Sequence, residues 1–492
     1  MILFVINHAF HYETEKLARI FFPCASIDIK KEYCDTNEDF ILTSAKYGAS
    51  GAELEVKLSL NGVCEERKTF VALPDGDFDK DCELALAGLM FDMLCSVTGK
   101  IPPWGMLTGV RPSKLLRSLR DTLGEAAGMR RFRDVMRVSP EKAALALSVA
   151  RAEDETAALS RRESFSLYVS IPFCPTRCSY CSFVSHSITS DAARKSIDSY
   201  VPLLCEEIRL TAGAAKRNGL RLESIYWGGG TPTTLSAPQL EMVLDTISDC
   251  FDLSTLREYT VEAGRPDTVT AEKLDVLKAA RVGRISINPQ TFNDSVLAQI
   301  GRKHSAQLVL DAFALARSRG FENINTDLIA GLPTDTEESF RNSVDTAIRM
   351  APESITVHTL ALKRSSRLVT DEGSAASDAE TVKNMVDYAN SALPQAGYHP
   401  YYMYRQSKSL GNLENVGWCV PGAECLYNVF MMEECHTVLS VGAGAVTKLK
   451  APDENHIERI FNFKYPYEYI ERFGILADRK KYIDEFYQKY PL

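Results

Sequence analysis

The 492-residue sequence predicts an α/β chain centred on a partial (β/α)6, TIM-like barrel, with an α+β N-terminal module ahead of it and a mixed C-terminal region behind. Three observations predict this. From Phe165 onward, six short apolar, β-branched segments alternate with helical stretches, the rhythm of parallel strands joined by right-handed crossovers. Polar motifs fall at the C-terminal ends of these segments, where an α/β barrel builds its site. The composition, 45% hydrophobic and 25% charged, is globular and excludes wholesale disorder or a fibrous repeat.

The same arithmetic narrows function. No uncharged apolar run approaches the ~18 residues of a membrane span, and Met1 to Ile6 lacks a basic leader, so a cytoplasmic protein is expected. A net charge of −9 argues against a globally basic nucleic-acid binder. Thirteen unevenly spread cysteines do not form a disulfide framework and point to metal binding or catalysis. Only Cys174, Cys178 and Cys181 are tightly grouped; Cys24, Cys34, Cys64, Cys82, Cys95, Cys205 and Cys250 read as small buried hydrophobes.

Residues 1–100 predict the N-terminal α+β module: a strand over Ile2 to Ile6, a helix near Glu13 to Phe22, and a hairpin in which Leu54, Val56, Leu58 and Leu60 alternate with polar residues up to Asn61-Gly62. That dipeptide suits a two-residue turn with positive φ. A helix over Asp79 to Val97 follows from the spacing of Leu86, Met90, Met93 and Leu94. Residues 101–163 predict a basic helical connector. Lys and Arg outnumber Asp and Glu by eight to three between Gly109 and Arg137, and a helix from about Ser113 groups Leu115, Leu116, Leu119 and Leu123 on one face. The charged face reads as solvated or as a cradle for a polycarboxylate. Residues 164–397 predict the barrel, with strands over Phe165 to Pro172, Ser224 to Gly230, Glu258 to Gly264, Arg284 to Gln290, Asn323 to Pro333 and Ser354 to Leu362 and a closing helix over Asp378 to Ala396. Residues 398–492 predict the mixed C-terminal region, rich in tyrosine and glycine.

Two motifs carry chemistry. The loop Cys174-x3-Cys178-x2-Cys181 follows the first barrel strand. It can hold three irons of a four-iron cluster and leave the fourth open; a catalytic zinc with an open position is the competing reading. Tyr226-Trp227-Gly228-Gly229-Gly230-Thr231-Pro232-Thr233 ends the second strand, and its glycines admit a close backbone approach to a second ligand.

On these residues, together with Tyr168-x-x-Ile171-Pro172-Phe173 and Asp327-Leu328-Ile329-x-Gly331-Leu332-Pro333, the sequence resembles the radical S-adenosylmethionine (SAM) enzymes. The branch is that of oxygen-independent coproporphyrinogen III dehydrogenase and its heme-chaperone relatives. The resemblance covers about residues 165–450 and is nearest the HemZ-type members, which carry an extra N-terminal region and a segment like Gly411-Asn412-Leu413-Glu414-Asn415-Val416-Gly417. It implies a [4Fe-4S] cluster on Cys174, Cys178 and Cys181, with SAM on the open iron. It implies SAM contacts from Tyr168, Tyr180, Gly229, Gly230, Thr231, Glu262, Gln290, Arg302, Asp327 and Ala361. It further implies reductive cleavage of SAM to a 5′-deoxyadenosyl radical, which removes a propionate β-hydrogen. Loss of carbon dioxide and an electron then leaves a vinyl group, so that coproporphyrinogen III becomes protoporphyrinogen IX. The implied partners are a tetrapyrrole, coproporphyrinogen III or heme, and a reduced flavodoxin- or ferredoxin-type electron donor.

The sequence departs from that pattern in places. Phe183 stands where the dehydrogenases carry a further Cys, and Ser170 where they place His. The chaperones share the missing Cys but carry a His-Asn pair where this chain has Tyr427-Asn428. A heme-binding protein without dehydrogenase activity, or radical chemistry on another tetrapyrrole, is therefore the alternative. Cys419, Cys425 and Cys435 are irregularly spaced and read as ordinary thiols before an auxiliary cluster. His186 and His358 read as structural histidines before substrate contacts, and Ser440 to Ala445 as a closely packed glycine turn.

Overall fold

Apolar Ile2–Ile6 forms β1, the second strand of a five-stranded sheet with β2 (Asp28–Lys30), β3 (Phe40–Gly48), β4 (Gly51–Leu60) and β5 (Val63–Ala72) in the order β2-β1-β3-β4-β5. The structure, a computed structural model, describes residues 1–73, 77–183, 185–363 and 378–492. It divides into two units, 1–150 with 405–413 and 151–404 with 414–492.

In the first unit Leu54, Val56, Leu58 and Leu60 of β4 are all buried. Asn61 and Gly62 both take positive φ, 49° and 80°, closing the hairpin onto the pair Leu60 and Val63. The helix Phe78–Thr98 starts where the Asp77 side chain accepts from the Lys80 N–H and stops at left-handed Gly99. It buries Leu86, Met90, Met93 and Leu94 in the same core. Helices Pro112–Leu123, Glu125–Arg130 and Pro140–Ala157 follow. Leu116 is buried, but Leu123, expected on the same face, is 45% exposed, because Gly124 ends the helix directly after it. Of the basic residues here, Arg120 meets Asp121 at 3.0 Å and Arg137 meets Asp92 at 2.8 Å. Those two guanidinium groups are thus paired with the chain's own carboxylates.

The second unit holds an eleven-stranded sheet and a short two-stranded pair. Its strands are β6 (Ser164–Ile171), β7 (Phe173–Cys174), β8 (His186–Ser187), β9 (Arg221–Gly229), β10 (Glu258–Glu262), β11 (Arg284–Ser286), β12 (Asn323–Ala330), β13 (Ser354–Thr359), β14 (His399–Arg405), β15 (Glu414–Cys419), β16 (Thr437–Val441), β17 (Val446–Lys450) and β18 (Ile457–Phe461). Six neighbours, β6-β9-β10-β11-β12-β13, run parallel, the α/β arrangement the sequence predicts. Helices Asp191–Arg217, Ala237–Cys250, Ala271–Ala279, Ala306–Ser318 and Glu337–Met350 connect them. The side chains of Ser190, Ser236, Thr270, Ser305 and Thr336 cap these helices, each cap contributing about 1 kcal/mol. Leu167, Val169, Ile225, Trp227, Val261, Ile285 and Ile324 fill the core beneath them.

The sheet continues past the predicted six strands. β16 pairs in parallel with β6, and β15 antiparallel with β13, so the C-terminal residues extend both sides of the same sheet. Among the described residues no helix is long and apolar enough to cross a membrane.

Candidate active site

The cysteine loop begins where β6 ends. Phe173–Cys174 pairs with His186–Ser187, fixing the first thiol at a strand end. The rest of the loop is tied to the segment after the fourth parallel strand, through Ser179 N–H to Ile300 O at 3.0 Å and Thr176 Oγ1 to Gly301 O at 3.1 Å. Cys178 is buried and Cys174 and Cys181 are half-buried. Burial pushes the Cys174 thiol up and the Cys181 thiol to about 11, and in each case the neighbouring thiols add to the shift. Nearby positive charge, or iron, would favour the thiolates of Cys174 and Cys181 against this burial.

Positive charge is present. Arg265 donates to Cys178 Sγ at 3.8 Å and to Thr176 Oγ1 at 3.1 Å while paired with Asp267. Arg302 is 8% exposed and donates to Asn288 O at 2.7 Å and to Tyr180 Oη at 3.1 Å. Its Nε has no hydrogen-bond partner, and no carboxylate pairs with it among the described residues, so a buried cation is left for an anionic ligand. Three thiols on one short loop can each take a different iron of a four-iron cluster and leave the fourth open.

The glycine run packs on this loop. A Cβ on Gly230 would lie 2.5 Å from Phe173 O, and one on Gly229 would lie 2.9 Å from Ser170 Oγ. The N–H groups of Gly230 and Thr231 already bond Ile171 O and Phe173 O, so the run offers a ligand carbonyl oxygens rather than N–H donors. Thr231 Oγ1 points to Cys174 Sγ at 3.6 Å.

Further along the same strand ends lies a polar row. Tyr226 donates to Glu262 Oε1 at 2.6 Å. Burial, reinforced by Asp327, raises the Glu262 carboxyl to about 7. Burial also pushes Asp327 upward, but hydrogen bonds from His358, Asn325 and Thr356 outweigh it and leave that carboxyl below its ordinary value. Asn325 Nδ2 stands 2.7 Å and His358 Nε2 3.8 Å from the Asp327 carboxylate. Gln290 sits at φ 67° and bonds through its backbone to Asp327 O and Ile329 N, a strained conformation of the kind that collects at functional sites. Tyr168, Tyr226 and Tyr427 stack with ring centroids 4.5 to 6.3 Å apart. Ala361 follows Leu360, whose N–H bonds Ala330 O beyond the sixth strand.

The structure thus gathers Tyr168, Glu262, Gln290 and Asp327 in one row, and Tyr180, Arg302, Thr231 and the three cysteines at the loop. Sequence reasoning missed Arg265, Tyr226 and Asn288. Tyr226 was visible in principle, since it lies two residues before Gly228 and so on the same strand face. His358, read first as structural, belongs to the row. Cys419 and Cys425 part company: Cys419 faces His399, and Cys425 donates to Glu258. The glycine turn packs tightly, with Gly442 against Ser170 O.

A parallel α/β sheet with a three-cysteine loop at the first strand's C-terminal end is the arrangement of the radical SAM superfamily, whose family model matches residues 168–347. The HemZ oxygen-independent coproporphyrinogen-III oxidase-like protein of Bacillus subtilis is 35% identical over 87% of this chain and 87% of its own. The chain belongs to the radical SAM superfamily and, within it, to the family of the HemZ coproporphyrinogen-III oxidase-like protein. The heme chaperone HemW of Bacillus subtilis is 41% identical over 40% of this chain and 50% of its own. The fold is that of the Escherichia coli coproporphyrinogen III oxidase HemN, which superposes with a TM-score of 0.52 at 22% identity over 67% of this chain and 73% of its own. The cofactors of this superfamily, and of this chain, are a [4Fe-4S] cluster and SAM.

Proposed function

We propose that the protein oxidatively decarboxylates coproporphyrinogen III propionates to vinyl groups, giving protoporphyrinogen IX without oxygen. The observation that carries this reading is the similarity to a coproporphyrinogen-III oxidase-like protein across 87% of both chains. When bound, the cluster and SAM supply one-electron chemistry that generates the hydrogen-abstracting radical.

The chain's own residues take the following roles. Cys174, Cys178 and Cys181 hold the cluster, and Arg265 and Arg302 offset its negative charge. Arg302, buried and without a carboxylate partner, takes the SAM carboxylate through a charge-assisted bond. The Gly229-Gly230-Thr231 run turns carbonyl oxygens toward the ammonium. Asp327, kept ionised by its hydrogen bonds, accepts from ribose hydroxyls, and Glu262 Oε1 holds or releases a proton near neutral pH. Tyr168, Tyr180, Gln290 and Ala361 complete the SAM contacts, and the stacked Tyr168, Tyr226 and Tyr427 exclude water from beside them. A reduced flavodoxin- or ferredoxin-type protein in the cytoplasm delivers the electron.

The test is an anaerobic assay of reconstituted protein with SAM, reductant and coproporphyrinogen III. Formation of protoporphyrinogen IX is expected, and its absence despite SAM cleavage overturns the reading. The second reading, a heme carrier, is favoured by Phe183, 66% exposed, where the dehydrogenases carry Cys. Against it, Tyr427 stands in place of the chaperones' histidine, buried in the tyrosine stack. A spectral titration with heme separates the two: submicromolar binding with transfer to an acceptor supports the carrier, and absence of binding removes it.

A further inference from the structure

At the far end of β13 from the polar row, Ser354 pairs with Cys419, the last residue of β15. Beside it, His399 opens β14, the strand next to β15 in the sheet. Glu424 reaches back from the turn that follows β15, with the Gly422 N–H donating to its Oε1 at 3.3 Å. Both partners converge on one ring nitrogen: His399 Nε2 lies 2.9 Å from Glu424 Oε1 and 3.5 Å from Cys419 Sγ. All three atoms lie within 4.8 Å of one another. Cys419 is fully buried, while His399 and Glu424 reach partial exposure at the rim.

This geometry does not suit a catalytic relay. In such a relay the carboxylate orients the imidazole through Nδ1 and the nucleophile meets Nε2; here both meet Nε2. Without an ion, His399 Nε2–H and the Cys419 thiol both donate to the Glu424 carboxylate; a divalent cation would replace those two protons and take the nitrogen, sulfur and oxygen as ligands together. Ligand edges around tetrahedral zinc are about 3.3 to 3.6 Å, so the Cys419 to His399 edge already fits and the His399 to Glu424 edge opens by a few tenths of an ångström.

We propose that His399, Cys419 and Glu424 form a second metal site, for a zinc-class divalent ion with mixed nitrogen, sulfur and oxygen ligands, separate from the iron–sulfur cluster. The partly exposed rim leaves the fourth position to water. Its consequence is positional. The turn carrying Glu424 leads into the helix Leu426–Glu433, whose first N–H groups bond Glu258 and which presents Tyr427 to Tyr168 and Tyr226. An ion on Glu424 pins the start of that helix.

The experiment uses cluster-loaded protein incubated with one equivalent of zinc, desalted, and measured for zinc, for iron and by zinc K-edge absorption. The expected result is about one zinc per chain with one sulfur at about 2.3 Å and nitrogen or oxygen at about 2.0 to 2.2 Å. In the His399→Ala, Cys419→Ser double variant zinc retention falls at least tenfold while iron stays, showing that the chain folds. Glu424→Gln, which keeps an acceptor for Gly422, also lowers zinc retention and decides the matter if the double variant is unstable. Zinc absent after desalting, zinc retained equally by these variants, or a shell of three sulfurs, which would mean the cluster cysteines, each overturns the proposal.

Discussion

The Tyr226 hydroxyl donates to the Glu262 carboxylate at 2.6 Å, joining the second and third parallel strands at their C-terminal ends. Even with that bond, burial and the nearby Asp327 charge raise the carboxyl to about 7 from an ordinary 4.5. The folded chain therefore binds this proton more tightly than the unfolded chain. Its contribution favours folding most below the unfolded value and declines as pH rises from about 4.5 to about 7, by at most about 3 kcal/mol. Glu262→Gln removes the titration, so its thermal midpoint should gain on the native protein's between pH 5 and pH 8. A variant whose midpoint falls further behind the native protein's as pH rises would contradict the assignment.

Cys178→Ala should abolish the cluster, with loss of the brown colour and of SAM cleavage. Arg265 donates to that sulfur, so the variant also leaves a buried guanidinium facing a void. Iron analysis after anaerobic reconstitution checks this; four irons retained per chain would show that the three-cysteine loop does not hold the cluster.

Arg302→Gln should keep the cluster and weaken SAM binding about tenfold to hundredfold, the loss of one charge-assisted bond of about 1.5–3 kcal/mol. The glutamine can still donate to Asn288 O, which accepts from Arg302 at 2.7 Å, but it carries no charge for a carboxylate. Equilibrium dialysis of labelled SAM against iron-replete protein measures it. Unchanged affinity would mean that the guanidinium serves only Tyr180 and the backbone.

The cysteine loop, the six parallel strands and the carboxylates at their ends were legible in the sequence because each rests on local spacing: Cys174, Cys178 and Cys181 span eight residues, and Glu262 and Asp327 end or interrupt apolar runs. What stayed hidden depends on contacts across the chain. Nothing near Thr437–Val441 says that it pairs with β6, some 270 residues earlier. Arg265 reads as a residue before a proline until the fold brings it to Cys178. His399, Cys419 and Glu424 meet only because β14 and β15 are neighbours, and the irregular spacing of Cys419, Cys425 and Cys435 read only as ordinary thiols.

Gly230→Ala tests the role of the glycine run. The added Cβ would lie 2.5 Å from Phe173 O and 2.9 Å from Ile171 O, both backbone atoms of the segment that positions Cys174, so neither can swing aside. The clash should push the second strand's end from the loop, at a cost of about 1–3 kcal/mol, and break the bonds from the Gly230 and Thr231 N–H groups to Ile171 O and Phe173 O. A ligand-contact role alone would lower SAM affinity and leave the cluster untouched. A packing role lowers iron retention as well, because the loop loses its backing. Gly283→Ala, where an added Cβ meets nothing within 4 Å, controls for glycine replacement next to a strand. The expected result is a lower thermal midpoint and incomplete iron loading in Gly230→Ala, both near native in Gly283→Ala; full iron with only SAM affinity reduced would assign the glycines to the cofactor rather than to the loop.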